Sequence, residues 1–403
     1  MTELLQQVRL IDPEQRIDRV ADVLIQEGVI TAIADSLQEV PAGTESRDCR
    51  DLILGPGLVD LYSTCGEPGY EHRETLAQLL ETALSGGFTR LNLLPQTHPP
   101  LTTPGAVQQL LKSVPATSPL QVRTWGAITQ ELAGQALTEL QELWGSGITG
   151  LSDGQPLADA QIMRRLLDYT QGWHCPVALW PCDLALAQGG VIRESVQALR
   201  FGLPSLPLAA ETAPLAALLE CLSPESTPVH LMRISTARSL DLIAQAKARG
   251  LPVTASTTWM HLLKNCEALV HYDPMLRLDP PLGNPADQAA LIEAVASGLL
   301  DAVAVDHHVY TYEEKTVPFA QAPPGCPGLG QAFAALWQAF VASDRWSPAV
   351  LWRSLSQQPA RCLQQAPPRL EVGQPAEMIL FEPGAEPLGQ VRQVWANWQG
   401  RTP

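Results

Sequence analysis

Residues Gly55 to Thr75 read GPGLVDLYSTCGEPGYEHRET, and the pattern that starts there decides the architecture. Val59 to Ser63 is a short apolar run followed by a Gly- and Pro-containing turn. Leu76, Leu79, Leu80, Ala83 and Leu84 then recur at helical spacing, which puts one apolar stripe against a core and predicts that Glu74, Gln78 and Glu81 face water. The same succession of run, turn and helical pattern repeats along the chain. The runs are Val59 to Ser63, Arg90 to Pro95, Gln121 to Ile128, Ile148 to Asp153, Val177 to Pro181, Val229 to Ile234, Val253 to Thr258 and Ala302 to Asp306. Alternating strand and helix signals imply parallel strands with helical crossovers, and eight of them predict a closed (β/α)8 barrel of the TIM type. An open doubly wound sheet is the other architecture with this alternation, but no G-x-G-x-x-G follows the first run.

Outside the barrel the pattern changes. Val20 to Ala34 holds two alternating β runs around Glu27-Gly28, and Met378 to Phe381 and Val391 to Trp398 are strand-like. Barrel termini tend to lie together, so a small β module from residues 1–54 plus 363–403 is expected beside a barrel over 55–362. The Pro-rich stretches 321–328 and 364–375 read as loops.

The 403 residues carry 42 Asp plus Glu against 26 Lys plus Arg, a net charge of -16. This field repels phosphate backbones, and no basic run offsets it, so no nucleic acid partner is expected. No eighteen apolar residues run together uncharged, and Met1 to Leu10 lacks a basic leader, so neither membrane spanning nor secretion is expected. Eight cysteines without a Cys-x-x-Cys fit reduced thiols and a cytoplasmic location.

In a (β/α)8 barrel the chemistry sits at the C-terminal strand ends. There the chain resembles the dihydroorotase branch of the amidohydrolase superfamily. The resemblance rests on residues 55–75, on GGFTRLNLLPQTHP at 86–99, LDPPLG at 278–283 and VDHHVYTYEEK at 305–315. It implies hydrolysis or closure of a cyclic amide in pyrimidine biosynthesis, with zinc to polarise the carbonyl and activate water, and an Asp as general base. Position by position, however, the zinc ligands are gone. The first-strand His-x-His falls on Tyr62 and Thr64, the fifth-strand His on Trp180 and the sixth-strand His on Arg233. The fourth strand ends at Ser152-Asp153-Gly154 with no lysine for a bridging carbamate, leaving Asp153 and Asp306 as the acids at ligand positions. The family's substrate contacts fall on Gly66, Gln96 and Tyr310. Two carboxylates without imidazole do not make a catalytic zinc site, so no cofactor is expected.

These readings predict a dihydroorotase homologue without its metal, with Asp306 at a vestigial general-base position. The resemblance implies a role as a non-catalytic assembly partner of aspartate carbamoyltransferase, in a homo- or hetero-oligomer. The alternative is a divergent cyclic amidohydrolase with Asp306 as base and Arg233 as electrophile; a small-molecule sensor is a third class. Arg233 is expected to pair with Asp306 or Asp153, while Tyr62 and Trp180 fill the vacated volume. Of the histidines, at most one of His307 and His308 should join Asp306, and His230 should be packed. His72, His98, His174, His261 and His271 should be solvated. A thiol nucleophile at Cys65 or Cys182 would need a nearby base such as His307.

Overall fold

The eight runs form the parallel strands of one curled sheet in the computed structural model, which describes residues 2–157, 159–386 and 389–396. In chain order the strands are Leu58–Val59, Phe88–Leu93, Gln121–Gly126, Gly150–Leu151, Val177–Leu179, Val229–Leu231, Val253–Thr258 and Ala302–Ala304, each beside its predecessor. At the seam, Thr64 N–H donates to the His307 carbonyl at 2.9 Å and His307 N–H donates to Ser63 Oγ at 3.2 Å, so the end of the eighth strand meets the first. Beyond the fifth strand the chain makes an excursion with its own ribbon, Ile192–Arg193 beside Ser205–Leu206, before the helix Ala209–Glu220 leads back.

Two cores hold the barrel. Inside, the bulk of Tyr62, Trp125 and Trp180 is complemented by the small Ala178, Ala302 and Ala304. Trp125 is fully enclosed, and its Nε1–H donates to the Leu61 carbonyl at 2.9 Å. Outside, helices such as Leu76–Ser85 lay their stripes on the strands. Leu76, Leu79, Leu80 and Ala83 are buried, and a Thr75–Gln78 capping box starts the helix. Gly86 ends it where a Cβ would lie 1.8 Å from the Leu329 carbonyl oxygen, so the chain after strand eight packs here against glycine alone.

A second sheet joins the two ends of the sequence. Its order is Gln390–Ala396, Glu377–Glu382, Ile53–Pro56, Thr2–Asp12, Ile17–Gln26, Val29–Ala34, with Glu45–Asp48 also on Thr2–Asp12. Asn397 and Trp398, part of the predicted terminal strand, lie outside the described residues. A buried ion pair ties this sheet to the barrel: Arg90 Nε and Nη2 donate to the two Glu377 carboxylate oxygens, each at 2.7 Å. Among the described residues no helix is long and apolar enough to cross a membrane.

Candidate functional site

The strand ends converge on Arg233, a residue with φ 54° whose side chain is 4% exposed. Its Nε donates to Asp306 Oδ2 and its Nη2 to Oδ1, both at 2.7 Å, while Nη1 donates to the Gly154 carbonyl at 2.9 Å. The guanidinium also lies 4.8 Å from the Trp180 ring centroid. Asp306 has φ 53°, so two non-glycine residues in the left-handed region bring acid and base together. Burial would by itself raise the Asp306 carboxyl. Arg233, aided by His308, outweighs it and holds the group well below the usual carboxylate range. His308 Nε2 lies 3.2 Å from Asp306 Oδ1 and 3.5 Å from Arg233 Nη2. That ring nitrogen either donates to Asp306 or accepts from Arg233, according to the tautomer, and the Asp306 contact is the shorter of the two.

The remaining family positions are occupied by side chains with other tasks. Tyr62 is fully enclosed; its hydroxyl accepts the Arg233 backbone N–H at 3.2 Å and lies 3.0 Å from Ser256 Oγ. Ser256 Oγ is 2.9 Å from His230 Nε2, and His230 Nδ1 is 2.9 Å from Thr254 Oγ1. Burial lowers His230 to about 3, so its imidazole is neutral. Thr64 Oγ1 donates to the His307 carbonyl at 2.8 Å. Asp153 does not join Arg233. Its Oδ1 accepts from the Ile128 and Thr129 backbone N–H groups, and its Oδ2 accepts from the Thr129 hydroxyl at 2.6 Å. Asp60, fully enclosed beneath the site, is pushed by burial up to about 7, with the charge of Asp306 adding to the rise.

Zinc does not fit this donor set. A phenol, a hydroxyl, an indole and a guanidinium stand at four of the ligand positions, one acid is committed to backbone N–H groups, and both Asp306 oxygens accept from Arg233. Among the described residues no group of three or more His, Cys, Asp or Glu side chains is arranged to hold a metal ion.

The mouth is filled only in part by Tyr62 and Trp180. A cavity of about 330 Å³ remains above the ion pair, bordered by Gln96, Trp180, Arg233, Asp306, His308 and Tyr310. Of these two replacements Tyr62 is fully enclosed, whereas Trp180 packs in the inner core and also borders this cavity. Gln96 Nε2 reaches the Gly154 carbonyl at 3.4 Å, and the Tyr310 hydroxyl donates to the Pro324 carbonyl at 2.9 Å. Gly66 cannot carry an arginine on this backbone: a Cβ there would stand 2.3 Å from the Glu74 carbonyl oxygen.

Two expectations change. Glu74 is buried rather than solvated, because it precedes the helix and accepts from His307 Nε2 at 3.2 Å, while His307 Nδ1 accepts the Gly328 and Leu329 N–H groups. His261 is likewise buried, between Thr258 Oγ1 at 2.7 Å and the Pro280 carbonyl at 3.2 Å, and burial lowers it to about 4. The thiols are poor nucleophiles, since burial pushes Cys65 and Cys182 up to about 12. Sequence reading also missed Lys315, whose ammonium donates to the carbonyls of Pro274, Pro323 and Gly325 and so pins the loops after strands seven and eight. Its signal was weak: one of four lysines, in a loop with no periodicity.

No protein-family model matches the chain. By sequence it is similar to the "Probable dihydroorotase-like protein" of Synechocystis sp., 44% identical over 391 residues that cover 90% of this chain and 89% of the relative. The "Dihydroorotase-like protein" of Pseudomonas aeruginosa is 34% identical, covering 96% and 92%. The dihydroorotase of Geobacter metallireducens is 32% identical, covering 96% and 91%. Among solved structures, the L-hydantoinase (dihydropyrimidinase) of Arthrobacter aurescens superposes with a TM-score of 0.82 at 20% identity, covering 94% of this chain and 86% of that one, a likeness of fold.

Proposed function

The chain belongs to the dihydroorotase family of the amidohydrolase superfamily, and on that premise we propose that it is a non-catalytic, metal-free member that serves pyrimidine biosynthesis as an assembly partner of aspartate carbamoyltransferase. The observation that carries the non-catalytic part is the bidentate pair of Arg233 with Asp306. A general base needs an oxygen free to take a proton and a pKa near the working pH. Asp306 has both oxygens engaged and is held strongly acidic by Arg233, so the strand-eight carboxylate works here as a structural counter-ion. The guanidinium supplies, in a fixed place, the positive charge that keeps a buried carboxylate ionised. The partner follows from the family resemblance: with the catalytic chemistry removed, the retained barrel offers surface.

The experiment combines three readouts on the purified full-length chain. Elemental analysis should find far less than one zinc per chain, and dihydroorotate turnover should not rise above a buffer blank. Mixed with aspartate carbamoyltransferase of its own organism, the chain should co-elute as a larger complex. Turnover abolished by Asp306→Asn would establish a divergent amidohydrolase instead, and separate elution would end the assembly reading.

A further inference from the structure

A file of hydrogen bonds inside the barrel joins the mouth to its opposite end. Strand Val253–Thr258 pairs with strand Val229–Leu231 so that Thr254 stands beside His230, and Thr254 and Ser256, two residues apart, present one face. The Arg233 backbone N–H donates to the Tyr62 hydroxyl at 3.2 Å, and that hydroxyl lies 3.0 Å from Ser256 Oγ. Ser256 Oγ lies 2.9 Å from His230 Nε2, and His230 Nδ1 lies 2.9 Å from Thr254 Oγ1. The Thr254 hydroxyl is in turn hydrogen-bonded to the Cys362 thiol. Tyr62, Ser256 and His230 are buried, whereas Thr254 is half-buried and, with His230 and Cys362, borders a second cavity of about 230 Å³ at the strand starts.

One donor fixes the sense of the whole file. A backbone N–H can only donate, so the Tyr62 oxygen accepts from Arg233 and the phenol proton goes to Ser256, its other hydrogen-bond partner among the described residues. Ser256 then passes its own proton to His230 Nε2, and the imidazole, kept neutral by burial, carries its hydrogen on Nδ1 and donates it to Thr254. In the opposite sense Nε2 would hold the hydrogen, Ser256 would donate to Tyr62, and the enclosed phenol proton would have no acceptor, a loss that disfavours that sense roughly 5- to 150-fold. We propose that this one-way relay couples the cavity at the strand starts to the Arg233–Asp306 pair at the mouth, with the His230 tautomer as its two-state element. Thr254 is the end that can be reached from solvent. Whenever its oxygen stops accepting, Nδ1 loses its acceptor, the hydrogen moves to Nε2, and the Tyr62 hydroxyl loses the bond that aims its oxygen at Arg233. Arg233 sits at φ 54°, a strained conformation that persists only under outside support, so the backbone that presents its guanidinium to Asp306 loosens. The device is independent of the assembly reading and of whether the chain is catalytic.

Nuclear magnetic resonance on the full chain, nitrogen-labelled at histidine, reads the tautomer directly at pH 7, with the His230 signals identified by their loss in His230→Gln. His230 should carry its hydrogen on Nδ1 in at least about four-fifths of molecules. Thr254→Val, which keeps the shape and removes the hydroxyl, should shift the hydrogen to Nε2 and speed hydrogen exchange of the Arg233 amide at least about fivefold, with the amides of strand Phe88–Leu93 unchanged. Thr254→Ser, which keeps the hydroxyl, should match the wild type in both. A wild-type His230 with its hydrogen on Nε2 overturns the proposal, and that measurement needs no variant to fold. A Thr254→Val chain that retains the wild-type tautomer overturns it as well. So does one whose tautomer shifts while the Arg233 amide exchanges at the wild-type rate, which would confine the effect to His230. Faster exchange shared equally by strand Phe88–Leu93 is general destabilisation and also overturns the coupling.

Discussion

Asp306→Asn is the change that interrogates the site most directly. Asn keeps the side-chain shape, removes the charge, and replaces one acceptor by an amide donor aimed at a guanidinium nitrogen. The wild-type pair has two charge-assisted hydrogen bonds of 2.7 Å between side chains 4% and 11% exposed. Each such bond contributes about 1.5–3 kcal/mol, and removing one member of a buried pair costs about 3–5 kcal/mol because the other charge stays behind. Arg233 keeps the Gly154 carbonyl and the Trp180 face, which places the expected loss at about 3–4 kcal/mol. Urea unfolding read by tryptophan fluorescence measures it. Arg233→Met should cost a similar amount, but the double variant should cost at least about 2 kcal/mol less than the sum. The pH dependence is set by the depressed Asp306 pKa: its stabilisation is complete above the unfolded carboxylate value and is lost only as pH falls through the folded value. The cost of Asp306→Asn should therefore be the same at pH 6 and pH 8. A loss below about 1 kcal/mol, or strict additivity, would refute the assignment of Asp306 and Arg233 as mutual counter-ions.

Other measurements follow from the same structure. His230 and His261 are held neutral by burial, at about 3 and about 4, against 6.5 in the unfolded chain, so the unfolded state binds more protons below pH 6.5. Stability should fall as pH drops from 6.5 towards 4, by about 1.4 kcal/mol per pH unit for each histidine, and His261→Gln should remove its share of that slope in urea titrations. Glu377→Gln, which breaks the buried pair with Arg90, should cost about 3–5 kcal/mol and expose the joint between the terminal sheet and the barrel to limited proteolysis before the barrel itself is cut. Cys65 and Cys182 should stay unlabelled by iodoacetamide at pH 8 in the native chain and react on unfolding, as buried thiols at about 12 require.

How far the sequence reached is clearest strand by strand. Each of the eight predicted runs overlaps a barrel strand, because a strand buried on both faces must be a short apolar run and its crossover helix must show a 3.6-residue stripe. Residue types at the strand ends were equally legible. Tyr62, Trp180 and Arg233 are present whatever the fold does, and an indole or a guanidinium is no zinc ligand. Glu74 and His261 were misread for one reason: Glu74 precedes a helix and His261 lies within the short helix Trp259–Leu263, and a polar residue near a turn looks solvated until another segment folds over it. Glu74 meets His307, 233 residues away, and His261 meets the Pro280 carbonyl.

By itself, then, the sequence determined the barrel, four of the seven strands of the second sheet and the chemistry that the ligand positions can no longer perform, since these depend on periodicity and side-chain type. Only the tertiary structure decided which acid Arg233 takes. Asp153 and Asp306 are equivalent on paper, but Asp153 is satisfied by the N–H groups of Ile128 and Thr129, while the left-handed backbone at Arg233 and Asp306 turns that pair face to face. A buried charge pairs with the acid that still has free acceptors, and which acceptors are free is a property of the assembled loops.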